Sequence, residues 1–147
     1  MTVNEYLEQN GSTGGYLQIG AETPLPEVVK AMILRRDARV LFVADREERI
    51  VGVVTPEMLA RHHFGEGVFR NKGGFLPGGQ ILGHLTAETA EHLMERRFVS
   101  CTPEEELDQV GHRVAQNPLS TVVPVVDDRG KLAAALEMLD VMERGCV

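Results

Sequence analysis

The chain has 147 residues, 43% of them hydrophobic and 25% charged, the balance of an ordinary soluble protein able to bury a core without covalent staples. A net charge of −7 excludes a global basic field for nucleic acid or anionic lipid, so any anion has to be held by a local site. The two cysteines, Cys101 and Cys146, show neither metal-ligand spacing nor a disulfide pattern, and reduced thiols are expected.

The opening MTVNEYLEQN has no basic start and no apolar run, and no stretch approaches the roughly 20 apolar residues that cross a bilayer. A cytoplasmic protein without membrane or nucleic-acid partners is the expectation. In chain order, TVNEYLEQ (2–9) reads as a helix and Gly11–Gly15 as a flexible glycine-rich turn. The strand YLQI (16–19) leads into a helix with Thr23 and Pro24 as start signals and Leu25, Val28, Val29, Met32 and Ile33 as one apolar face. VLFVA and IVGVV, bounded by the turn segment DREER, read as buried strands. A helix starts near Pro56. The glycine-rich connection at 65–86 reads either as a flap, with Phe69 and Phe75 closing over a cleft, or as a linker.

The same order then returns. TAEHLMER (89–96) is a second leading helix and FVSC (98–101) a strand. Thr102 and Glu105 form a capping-box pattern with Pro103 at the first helical position, and Leu107, Val110 and Val114 make the apolar face. VVPVV and LAAAL flank DDRGK, and a last helix starts near Glu137. Shifted by 82 residues, 16–64 overlies 98–146 without a gap. Identities fall at Glu22/Glu104, Leu25/Leu107, Val28/Val110, Val40/Val122, Val43/Val125 and Asp45/Asp127, and apolar residues coincide at six further pairs, among them Ile50/Leu132 and Val54/Leu136. The leading helices match at an offset of 87, and the five-residue difference is the insertion around Gly11–Gly15. The chain is therefore read as an α/β (α+β) protein of two β-α-β-β-α repeats, 1–64 and 87–147, joined by 65–86.

The segment MERRFVSCTPEEELDQVGHRVAQNPLSTVVPVVDDRGKLAAALEMLDVM (94–142), with GVVTPEML (52–59) closing the first repeat, resembles the CBS (cystathionine-β-synthase) domain. The resemblance covers nearly the whole chain outside the connection. It implies a tandem pair packed sheet to sheet about a pseudo-two-fold axis. It also implies clefts between the repeats that hold adenosyl ligands such as AMP, ADP, ATP or S-adenosylmethionine, a regulatory role without catalysis, and a homodimer. No cofactor is required, and the regulated partner is expected to be another protein.

The family pattern Gly-x-x-Thr-x-x-Asp-Leu places candidate ligand contacts at Gly52, Thr55 and Met58 in the first repeat and at Glu137 and Asp140 in the second, and Cys101 and Thr121 are further candidates in the second repeat. Each repeat keeps one half of the pattern. The first has Met58 where Asp is usual; the second has Asp140 but Glu137 at the Thr position and Ala134 at the Gly. A helix N-terminus favours an anion, and a carboxylate accepts from a ribose diol. Glu137 repels a second anion there, so the second cleft is expected to prefer a neutral or cationic adenosyl compound over ATP. Plainer roles stand beside these: Thr55 as a helix N-cap, Asp140 as a solvated helix residue, Cys101 as core. Arg35, Arg36 and Arg39 either complement a helix dipole or meet a phosphate. His62, His63, His84, His92 and His112 lack zinc-site spacing. Two other functions compete: a dimerisation module with empty clefts, its apolar face supplied by Leu59, Leu139 and Met142, and a small enzyme using Cys101 or the histidines.

Overall fold

The computed structural model of the chain describes residues 1–64, 88–117 and 121–144. The connection at 65–86, with Phe69, Phe75 and His84, and the C-terminal Cys146 lie outside the described residues. The elements in order are α1 (Val3–Asn10), β1 (Tyr16–Gly20), α2 (Leu25–Leu34), β2 (Val40–Ala44), β3 (Ile50–Val54) and α3 (Pro56–Phe64). They are followed by α4 (Ala90–Leu93), α5 (Leu107–Ala115), β4 (Val122–Val126), β5 (Leu132–Glu137) and α6 (Met138–Arg144).

Burial on both faces explains the unbroken apolar strands. β1, β2 and β3 form one sheet in that order, β1 parallel and β3 antiparallel to β2. Every residue of β2 is buried. By strand alternation Leu41 and Val43 face a core shared with Leu25 and Val28 of α2, while Val40 and Phe42 face a second core shared with Val122 and Ala135 of the other repeat. β4 is divided in the same way, Val123 and Val125 facing away from that shared layer. The sheet-to-sheet layer also gathers the repeat-equivalent residues Ile50 and Leu132. An antiparallel bridge joins Arg49 to Lys131, two residues that are themselves repeat-equivalent, so the pseudo-two-fold axis passes between them.

Four expectations are corrected. The strand expected at 98–101 is reduced to a single parallel bridge between Cys101 and Val125. The Cys101 N–H donates to the Pro124 carbonyl (3.1 Å) and the Val126 N–H donates to the Cys101 carbonyl (2.8 Å). The preceding rung needs an N–H at position 124, and proline has none. Phe42 occupies the corresponding place in the first repeat, where the ladder runs the length of β1.

The helix expected from Pro103 starts instead at Leu107. An α-helix beginning there would bond the Leu107 N–H to the Pro103 carbonyl. That carbonyl accepts from Asn4 (2.9 Å), the Glu105 carbonyl accepts from Val3 (2.8 Å), and the Leu107 N–H donates to Met1 (3.0 Å). Thr102 and Glu105 close a turn, with the Thr102 N–H on Glu105 Oε2 (2.8 Å), and Arg113 reaches Glu105 (2.7 Å) and the Ser100 carbonyl (2.8 Å). In the first repeat Pro24, not Thr23, is the N-cap of α2, and the flanking backbone is tied to α4: Leu25 N–H to Glu88, Ala90 N–H to Thr23. Each leading helix thus docks on the opposite repeat. Val3 and Tyr6 belong to the core with Leu107 and Val110; Ala90 and Met94 belong to the core with Leu25 and Val28.

Ile33, expected on the buried face of α2, is 55% exposed. At about 100° per residue it stands to the side of the Leu25–Val28–Met32 stripe.

The hairpin turns are alike. Asp45 Oδ1 accepts the N–H groups of Glu47 and Arg49, and Asp127 Oδ1 those of Arg129 and Lys131. These backbone bonds, with Arg49 and Lys131 first, hold both carboxyls below the ordinary carboxylate range. A carboxylate lowered in the folded state adds stability above its unfolded pKa, and the contribution is lost as pH falls through the folded value. Gly130 takes φ +82°, and at the equivalent place Glu48 takes φ 66°.

Gly52 is the second demanding glycine. A Cβ there would lie 2.5 Å from Met94 Sδ and 2.7 Å from its Cγ, because Met94 lies directly over β3.

Two substitutions check this packing. Glu48→Gly relieves a left-handed residue and is expected to stabilise the fold by about 1 kcal/mol, since the exposed ion pair it gives up with Lys131 (3.7 Å) contributes little. A lowered melting temperature would contradict the turn geometry. Gly52→Ala is expected to cost about 1–3 kcal/mol in urea unfolding, and to cost less than that when introduced into a Met94→Ala background.

Candidate functional site

The last strand of each repeat runs straight into a helix, and the residue between them is the first component of the candidate site. In the first repeat Thr55 caps α3: its Oγ1 accepts the Met58 N–H (3.2 Å) and its carbonyl the Leu59 N–H (3.1 Å). Thr55 and Met58 are half-buried. Gly52 lies within β3 beneath Met94 and faces that side chain rather than open space.

In the second repeat Glu137 stands where Thr55 does and does the same capping. Its Oε2 accepts the Asp140 N–H at 3.1 Å. Glu137 is 6% exposed, and its Oε1 has no hydrogen-bond partner among the described residues. Asp140 is half-buried. Thr121 joins them, because Glu137 is in register with Val122 and the Met138 N–H donates to the Thr121 carbonyl (2.9 Å). Thr121, Glu137 and Asp140 therefore converge at one end of the β4–β5 pair.

Cys101 does not join them. It pairs with Val125 at the other end of β4 and is 2% exposed within the core of Val3, Leu107 and Val110. Burial, with Glu105 nearby, pushes its thiol up to about 12. A thiol so raised carries almost no thiolate at neutral pH and is a poor nucleophile.

The sequence reading missed Ser12 and Thr13. The Glu137 N–H donates to Thr13 Oγ1 (3.0 Å), the Thr13 N–H to the Ala135 carbonyl (2.9 Å), and the Ala135 N–H to Ser12 Oγ (3.0 Å). The stretch read as a flexible turn thus forms a rung on the edge of β5. The available signal was the 82-residue shift, which sets Thr13 on Glu95; Glu95 makes the matching rung on Val53 of β3.

The remaining charged groups are paired elsewhere or stand apart. Arg35 bonds Asp37 (3.1 Å), and the Arg39 N–H donates to the Gly15 carbonyl (2.7 Å). His62 pairs with Glu88 at 2.5 Å, and the Thr89 N–H donates to His92 Nδ1 (3.1 Å). Among the described residues no three metal-ligating side chains lie together. A groove of about 330 Å³ opens at the opposite end of the first sheet from Thr55, where Arg46 is already held by Glu22 (2.6 Å). No helix among the described residues is long and apolar enough to cross a membrane.

Against known proteins, the CBS domain model matches residues 15–64 and 90–145. No curated protein sequence matches the chain. Among solved structures, a CBS domain-containing protein from Thermotoga maritima is similar at TM-score 0.67 and 20% identity, over 97% of this chain and 92% of that one. The CBS domain pair of protein MJ0100, solved with 5′-methylthioadenosine and S-adenosyl-L-methionine, gives TM-score 0.64 and 17% identity over 97% and 94% of the two chains. The cytosolic domain of the Mg²⁺ channel MgtE in complex with ATP gives 0.65 and 19%, over 90% of this chain and 46% of that one. These likenesses establish a common fold at low identity. With both repeats matched by the family model and the repeats packed about a pseudo-two-fold axis, the chain belongs to the CBS domain family.

Proposed function

We propose that the chain is a regulatory module that senses an adenosyl compound in the cleft bordered by Thr121, Glu137 and Asp140. The observation that carries this reading is the convergence of these three residues where β5 meets α6, beside the inter-repeat layer. A half-buried carboxylate at position 140 suits a ribose diol, since a charged acceptor forms the stronger kind of hydrogen bond. The MJ0100 pair, bound to two adenosyl compounds, supports the ligand class by analogy of fold. The first cleft is the weaker of the two. Thr55 Oγ1 is already engaged by Met58, whose thioether side chain stands where a ribose acceptor would be.

Asp140→Ala is expected to weaken adenosine binding by about 1.5–3 kcal/mol, roughly 10- to 150-fold in Kd. Calorimetry in which the variant binds as well as the parent would remove Asp140 from the site.

A homodimer accompanies this reading. Leu139 and Met142 of α6 are 64% and 55% exposed, an apolar face that an isologous contact covers. Leu59, by contrast, packs in part against the first core and contributes less. Light scattering at high micromolar concentration is expected to give a dimer, and Met142→Asp a monomer; a monomeric parent protein would end the proposal. A tight dimer that binds no adenosyl compound would instead favour a dimerisation module with empty clefts.

A further inference from the structure

We infer that Glu137 selects the charge of the ligand, its free Oε1 receiving a cationic, hydrogen-bond-donating group of an adenosyl compound. This rests on the sensing role proposed above. Oε1 is shielded from solvent and has no hydrogen-bond partner among the described residues, while Oε2 holds the Asp140 N–H. A buried carboxylate oxygen with no donor is costly, and native proteins almost always satisfy such atoms. The described residues do not supply that donor, which leaves the oxygen open to one from a ligand.

Strand alternation sets the side of β5 on which Glu137 lies. Glu137 lies on the same face of β5 as Ala135, two residues before it, and Ala135 packs in the inter-sheet core with Val40 and Phe42 of the other repeat. The end of β5 thus turns a carboxylate toward the rim of that layer, with Thr121 alongside.

The charge follows from the neighbours. Glu137 and Asp140 stand one helical turn apart, and neither forms an ion pair among the described residues. Two poorly solvated negative charges attract a cation and repel a phosphate. The first repeat has no such pair, since Thr55 and Met58 occupy the equivalent places. Charge selection is thus a property of one repeat and not of the other.

The test is titration calorimetry of the full chain with S-adenosylmethionine (cationic), 5′-methylthioadenosine (neutral) and AMP (anionic). The parent protein is expected to bind S-adenosylmethionine at least about tenfold more tightly than AMP. Glu137→Gln is expected to weaken S-adenosylmethionine by about tenfold or more and to change 5′-methylthioadenosine by less than about threefold. Glu137→Thr places at 137 the hydroxyl cap seen at Thr55, its melting temperature checks that it folds, and it is expected to shift preference toward AMP. If adenosyl compounds bind but Glu137→Gln leaves their ratio unchanged, a water or a proton satisfies Oε1, and the charge-selection inference falls while sensing stands. If none of the three binds the parent protein, the sensing role falls, and this inference with it.

Discussion

The backbone hydrogen bonds between the start of α1 and residues 103–107 are the constraint on which the rest of the structure depends. The first N–H groups of a helix have no partner within it and must find one elsewhere. Here the Val3 and Asn4 N–H groups find carbonyls at Glu105 and Pro103, and the Leu107 N–H returns a bond to Met1. The same bonds delay α5 by one turn and carry Val3 and Tyr6 into the core with Leu107 and Val110. Their counterparts link Thr23 and Leu25 to Ala90 and Glu88. Neither repeat buries its own apolar face without the other's leading helix, so the two halves are interdependent although the sequence repeats them in tandem.

This exchange also makes the two clefts unlike. The segment that leaves each leading helix lies along the edge of the opposite repeat's last strand. Behind α4 that segment is Met94 and Glu95, and Met94 lies over Gly52. Behind α1 it is Ser12 and Thr13, whose hydroxyls bond the backbone of β5. A thioether lines one edge and hydroxyls the other. The polar edge coincides with Glu137 and Asp140, and the apolar edge with Thr55 and Met58. The two repeats share a strand-to-helix plan, but one strand end carries two carboxylates beside hydroxyls and the other is crowded by Met58 and Met94.

The proline at 124 shows how one residue limits a sheet. Without its N–H the second repeat has a bridge where the first has a five-residue ladder. Cys101 and the Glu105–Arg113 pair then fasten the chain at that point, Arg113 holding both Glu105 and the Ser100 carbonyl. The buried thiol belongs to this fastening, not to chemistry.

The sequence alone determined the elements that depend on local or periodic signals. The 82-residue repeat, the buried strands VLFVA and VVPVV, the Asp-led turns and the caps at residues 55 and 137 follow from hydrophobic period and side-chain chemistry within a few residues, and the family pattern located Asp140. What it did not determine was the fate of backbone groups. Whether the Pro103 carbonyl accepts from Leu107 or from Asn4, whether position 124 must donate to a neighbour, and whether Thr13 sits free or on the edge of β5 are decided by partners distant in the chain. Backbone amides are the same at every residue except proline, so nothing in local composition says where their bonds go. That Glu137 Oε1 finds no partner among the described residues is legible only in three dimensions for the same reason: a carboxylate has no burial or partner until the packing of other segments assigns them.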